Sequence, residues 1–113
     1  MIIPEFNIFH ACGELKINKD VYLRIVFKAF EQTTSDIAQL RQAHQANDVA
    51  TVQALAHRLK GDYANLRMAA LSAVADELNR HAKEAYESAH ALELIEKFYA
   101  LFKEMKTEIE GTV

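Results

Sequence analysis

Apolar residues recur at three- and four-residue intervals along most of this chain, the period of α-helices with one buried face. From Ala50 to Leu66 the stripe is Val52, Leu55, Leu59, Tyr63 and Leu66. A longer helix is predicted before it, from about Lys19 to Ala46, with Leu23, Phe27, Phe30, Thr34, Ile37, Leu40 and His44 on the core side. Val21, Tyr22, Ile25 and Ala29 lie off that line and make a second apolar strip. A further helix from about Met68 to Tyr86 turns Leu71, Val74, Ala75, Leu78 and Ala82 inward. The last predicted helix runs from Ser88 to about Glu110 and buries Ala91, Leu94, Ile95, Phe98, Leu101, Phe102, Met105 and Ile109. A short helix is expected over residues 5–12, after Pro4, with Phe6 and Phe9 apolar.

The breaks between these stripes carry helix-end chemistry. Asn18 or Asp20 can cap the long helix, Asp48 the next and Ser88 the last. Gly13 and Gly111 are expected stops. Four long amphipathic helices joined by short links predict an all-α fold, an antiparallel up-down-up-down four-helix bundle. The short N-terminal helix lids one end, and residues 1–113 are expected to form one domain. One proline and three glycines in 113 residues fit such long uninterrupted helices.

Composition narrows the functions. A formal charge of −3 gives no electrostatic case for nucleic acid or an anionic membrane. The single cysteine, Cys12, excludes an internal disulfide and fits a reducing, cytoplasmic compartment. The N-terminal MIIPEFNIFHACG lacks a basic segment and a sustained apolar run, so it does not read as a signal peptide. No stretch approaches the roughly 18 apolar residues of a membrane span.

One helix face breaks the ordinary rules. At about 100° per residue, His57 falls well away from the apolar stripe of its own helix. Ala50 and Ala54 precede it on that face, and Lys60, Gly61 and Ala64 follow. A solvated face normally carries long charged side chains; this one carries an imidazole, an ammonium and little bulk. A glycine within a helix costs roughly 1 kcal/mol against alanine, so Gly61 implies a close approach to the backbone. A shallow platform that exposes one histidine suits docking of a second protein. Part of the strip Val21, Tyr22 and Ile25 either extends that docking surface or is covered by the short first helix. Against this stands the plain fact that exposed histidines and alanine-rich faces also arise without function.

Ala56-His57-Arg58-Leu59-Lys60-Gly61, followed by Asn65-Leu66, resembles the A-H-x-L-K-G-x-x-x-x-L core of histidine phosphotransfer (HPt) domains. The number of helices and the length also match that family. The chain departs from it at Asp62, where a small residue is common, and at Arg67-Met68, where Gly-Ala is common. Asp62 falls off the histidine face, whereas Arg67-Met68 alters the turn into the next helix.

The resemblance implies a phosphorelay carrier, not a kinase. His57 would take a phosphoryl group from an aspartyl phosphate and return it to a second aspartate. An unperturbed imidazole has a reference pKa of about 6.5 and is a nucleophile near neutral pH. Lys60 supplies a cation to the phosphoryl oxygens. The family commonly orients its imidazole with a polar side chain from the following helix, a place that falls near Asn79. Partners would be receiver domains, which bring the Mg²⁺, and the resemblance also admits a hybrid sensor histidine kinase as a partner. A monomer is expected.

Other chemistries fare worse. No C-x-x-C-H haem site exists, and Glu87-x-x-His90 is a lone copy of a spacing that di-iron bundles use twice. No metal site is therefore expected. No glycine-rich loop offers an ATP site, and nothing provides a nucleophile turn with an oxyanion hole. The alternative that stays open is a non-phosphorylated helical adaptor using the same small-residue face.

Overall fold

The computed structural model describes residues 6–113, and it is helical throughout apart from short links. Five helices run in order among them: α1 (Ile8–Leu15), α2 (Lys19–Gln45), α3 (Val49–Asn65), α4 (Ala69–Glu84) and α5 (Ser88–Glu110). The last four form the bundle. Each packs on its neighbours in the cycle α2, α3, α4, α5 and back to α2, while α1 packs on α2. The antiparallel sense follows from which residues meet. Tyr22, Thr33 and Asp36 of α2 bond to Leu66, Tyr63 and Arg58, in descending order along α3. The result is a rod 41 Å long.

Side-chain caps set the helix starts. Asn7, Asn18 and Asp48 accept hydrogen bonds from the main-chain N–H groups of His10, Val21 and Thr51, at 3.0, 2.9 and 3.2 Å. Each satisfies a donor that a helix N-terminus leaves open. Ser88 does not cap α5: Glu87 stands in that position, and the Ser88 hydroxyl lies 3.1 Å from His44 Nε2.

One device ends the first three helices. Lys16, Asn47 and Arg67 have φ of 57°, 53° and 62°. After each, the next N–H reaches back to a carbonyl of the last turn: Ile17 to Cys12, Asp48 to Ala43 and Met68 to Tyr63. These are left-handed caps of the Schellman type, normally made with glycine. Gly13 accordingly does not stop α1, which continues to Leu15 and ends on Lys16. The expected start after Pro4 lies outside the described residues. Phe9 is exposed, and Ile8, Ala11 and Cys12 are the buried residues of α1. Gly111 does end α5.

The inward residues expected on α3, α4 and α5 are all buried. On α2 the buried face is turned by about one residue. Leu23, Phe30, Ile37 and Leu40 are buried as expected, but Tyr22, Val26, Thr33, Asp36 and Ala43 join them while Thr34 is exposed. Phe27 and His44 are only half-buried. The physical reason is that α2 must face α3, α5 and α1 together, and its polar members find partners. The Thr33 and Tyr63 hydroxyls bond at 2.6 Å, and Asp36 pairs with Arg58.

Candidate functional site

The α3 helix offers two faces, as its sequence pattern requires. Val52, Leu55, Ala56, Leu59 and Tyr63 are buried, whereas Ala50, Ala54, His57, Gly61 and Ala64 are exposed and Lys60 is half-buried. His57 thus stands in solvent on a platform of small side chains. A Cβ placed on Gly61 would meet nothing within 4 Å. Among the described residues nothing therefore requires the glycine, and it leaves open space on this exposed face.

The surface proposed from α2 needs correction. Tyr22 is fully buried and its hydroxyl donates to the Leu66 carbonyl at 2.6 Å, so it cannot contact a partner. Phe6, just before α1, stacks on it at 6.5 Å between ring centroids, and so covers its ring. Ile25 is exposed and Val21 half-buried, so these two remain accessible to different degrees.

Two bridges from α3 to α4 bracket His57 in sequence. Four residues before it, Gln53 Nε2 donates to Asn79 Oδ1 at 2.7 Å. Three residues after it, Lys60 Nζ lies 3.1 Å from Asp76 Oδ1. Asp76 Oδ2 also accepts from Arg80 Nε at 3.1 Å, and the Ser72 hydroxyl donates to the Lys60 carbonyl at 2.9 Å. The hydrogen bond and charge of Lys60 hold the Asp76 carboxyl below its ordinary range, with Arg80 adding to the effect. Asn79 is buried and, among the described residues, its hydrogen-bond partner is Gln53. Apolar periodicity does not mark Gln53 and Asp76; helical spacing does, since Gln53 is one turn before His57 and Asp76 one turn before Asn79 and Arg80.

Three of the other histidines meet at one end of the bundle. His44 Nε2 donates to the Ser88 carbonyl at 2.9 Å, and the Glu87 main-chain N–H donates to His81 Nε2 at 2.8 Å. His90 packs edge-on against His81 with ring centroids 4.7 Å apart. Among the described residues no group of three or more His, Cys, Asp or Glu side chains is placed to hold a metal. No helix of the described residues is long and apolar enough to cross a membrane.

The sequence model of the Hpt domain matches residues 24–112, nearly the whole chain. The chain belongs to the Hpt family. Hpt domains are helical bundles that transfer phosphoryl groups on histidine in two-component systems; they are phosphocarriers, not kinases, and interact with receiver domains and kinases. No curated protein and no solved structure matches the chain. The matched span contains His57, Lys60, Asp76 and Asn79, and it begins after α1 and the first turn of α2.

Proposed function

We propose that this Hpt domain accepts a phosphoryl group on His57 from the aspartyl phosphate of one receiver domain and passes it to the aspartate of another. The observation that carries this reading is the exposure of His57 on a face of alanine and glycine, in a helix otherwise committed to the core. In the transfer, one imidazole nitrogen attacks phosphorus in line as the aspartyl O–P bond breaks. The carboxylate leaves with the bonding pair, and the other ring nitrogen keeps its proton, so no proton needs to be removed from the site. The charge balances: a neutral ring and an acyl phosphate dianion become a singly negative phosphoimidazolium and a carboxylate.

Such a reaction asks for positioning and charge neutralisation more than covalent help. The rigid bundle supplies the first. Lys60 supplies the second, one turn from His57 and only half-buried. Asn79, held on the following helix, orients the imidazole. Ala50, Ala54, Gly61 and Ala64 give the receiver's loops room, with Val21 and Ile25 at the edge. Mg²⁺ belongs to the receiver, whose own carboxylates bind it. The carrier works in the cytoplasm as a monomer.

The test is to incubate the chain with Mg²⁺ and receiver domains charged by acetyl phosphate. Label that is labile to acid and stable to base is expected on the wild type and absent from His57→Gln. Equal labelling of the variant would move the site elsewhere, and binding without label would leave an adaptor.

A further inference from the structure

Lys60 is not free to serve His57 alone. Its ammonium lies 3.1 Å from Asp76 on α4, and Ser72 of the same helix fixes its main-chain carbonyl. The pair borders an open groove of about 750 Å³ whose walls include Ala64, Ala69 and Ala73. A phosphoryl group on His57 brings a dianion into reach of the same ammonium. It must then share Lys60 with a carboxylate that is already charged, because Asp76 is held in its ionised form by Lys60 and Arg80.

We propose that Asp76 is a positioning residue that competes with the phosphoryl group for Lys60, and so limits how strongly the protein holds phosphate on His57. This rests on the carrier reading above and deepens it. A carrier must release its cargo as readily as it takes it. Unopposed, Lys60 would stabilise the phosphorylated state and pull the equilibrium toward His57. Asp76 withdraws part of that stabilisation and adds like-charge repulsion of its own, keeping the phosphohistidine a ready donor. Arg80, on the other carboxylate oxygen, tempers the competition.

The test needs no partner protein. N-phosphoimidazole donates its phosphoryl group to His57 and leaves as imidazole, so one N–P bond breaks and an equivalent one forms. The equilibrium constant, read by ³¹P NMR in the presence of excess imidazole, therefore reports only what the site adds. Exposed charge pairs are worth roughly 0.2–1 kcal/mol, so Asp76→Asn is expected to raise that constant by about 1.4- to fivefold. Lys60→Gln should lower it, and in the Lys60→Gln background the effect of Asp76→Asn should shrink to the part that direct repulsion contributes. An unchanged or lowered constant in Asp76→Asn overturns the proposal. A shift that persists in full without Lys60 also overturns it, because bare charge would then suffice. Failure of the wild type to take phosphate, or equal uptake by His57→Gln, would instead sink the carrier reading. A change in folding alone cannot imitate the expected pattern, since it would not depend on whether residue 60 is lysine.

Discussion

The Tyr22 hydroxyl donates to the main-chain carbonyl of Leu66 at 2.6 Å, tying the start of α2 to the end of the helix that carries His57. Leu66 is the C-cap of α3, and its carbonyl is among those a helix leaves without an internal partner. The contact is wholly buried. Tyr22→Phe keeps the ring, leaves that acceptor unpaired and is expected to cost about 1–2 kcal/mol. Urea unfolding should show a lower midpoint with an unchanged slope. An unmoved midpoint would mean the hydroxyl contributes nothing.

Gly61 separates folding from docking. Its helical backbone and the open space around it allow a methyl group without a clash. Gly61→Ala is therefore expected to stabilise the protein by about 0.5–1 kcal/mol, the helix preference of alanine over glycine. Gly61→Arg should keep the helical signal yet slow phosphoryl transfer, because the long side chain fills the space beside His57. Loss of stability in the alanine variant would show that the fold needs the glycine. Unchanged receiver affinity in the arginine variant would remove the argument for docking at this face.

These two residues also show what periodicity can and cannot reveal. The exposed face of α3 was legible because its core stripe is regular and His57 falls opposite. The core place of Tyr22 is not legible in the α2 stripe, because α2 touches three neighbours, which widens its buried face and admits Thr33 and Asp36. No count of apolar residues marks a buried aspartate; only its partner on another helix does. The bridges from Gln53 to Asn79 and from Lys60 to Asp76 are likewise tertiary, and become visible only when α3 and α4 are laid side by side. The turn at Arg67 was unclear for a different reason. The left-handed cap persists there without the glycine that favours it. The Arg67 guanidinium instead donates to the carbonyls of Ala64 and Asn65 and pairs with Glu14 of α1.

The Asp36–Arg58 pair fixes how α3 sits against α2. Asp36 is fully buried; Oδ1 accepts from Arg58 and Gln32, while among the described residues Oδ2 has no hydrogen-bond partner. Arg58→Met strips the carboxylate of its cation and is expected to destabilise by about 1–3 kcal/mol, the cost of stranding a buried polar group. Combining it with Asp36→Leu should recover part or all of that loss, since apolar replacement of an ion pair is often neutral. Additive losses in the double variant would contradict this account.

The two buried tyrosines predict a loss of stability in alkali. Burial is the main force raising the phenols of both Tyr22 and Tyr63 above the ordinary value of 10.0. For Tyr22 the neighbouring Cys12 adds to the rise and Arg67 opposes it. For Tyr63 the Thr33 hydrogen bond opposes it, and Asp62 and Asp36 add. Below the ordinary value both states hold these protons, and the stability they permit is fully present. Above it the unfolded chain sheds them while the folded chain keeps them, so stability falls as pH rises toward the folded values. The linkage slope is about 1.4 kcal/mol per pH unit for each tyrosine. Denaturation series above pH ~10 should show this fall, and Tyr22→Phe should flatten it. Parallel curves for wild type and variant would exclude Tyr22 as a source.

The pairing of Gln53 with Asn79 makes a separate prediction about the imidazole. Gln53 occupies one acceptor position of Asn79 Oδ1 at 2.7 Å. An amide oxygen has a second lone pair, and the amide also carries two donors. The bond to Gln53 fixes the plane of the Asn79 amide, and hence the direction its remaining groups would present to His57 in the proposed role of orienter. Attack by one ring nitrogen requires the proton to sit on the other, so whichever group orients the ring also selects its tautomer. Asn79→Ala is expected to slow phosphoryl acceptance by up to roughly a hundredfold, the scale of an ångström-sized misplacement of a reacting group. Gln53→Ala should act in the same direction and more weakly, because it loosens Asn79 without removing it. Nitrogen-15 spectra of the His57 ring should show the tautomer ratio moving in both variants, graded as the rates are. Slower transfer with an unchanged ratio would assign Asn79 to packing between α3 and α4, and leave the imidazole to be oriented by the visiting receiver.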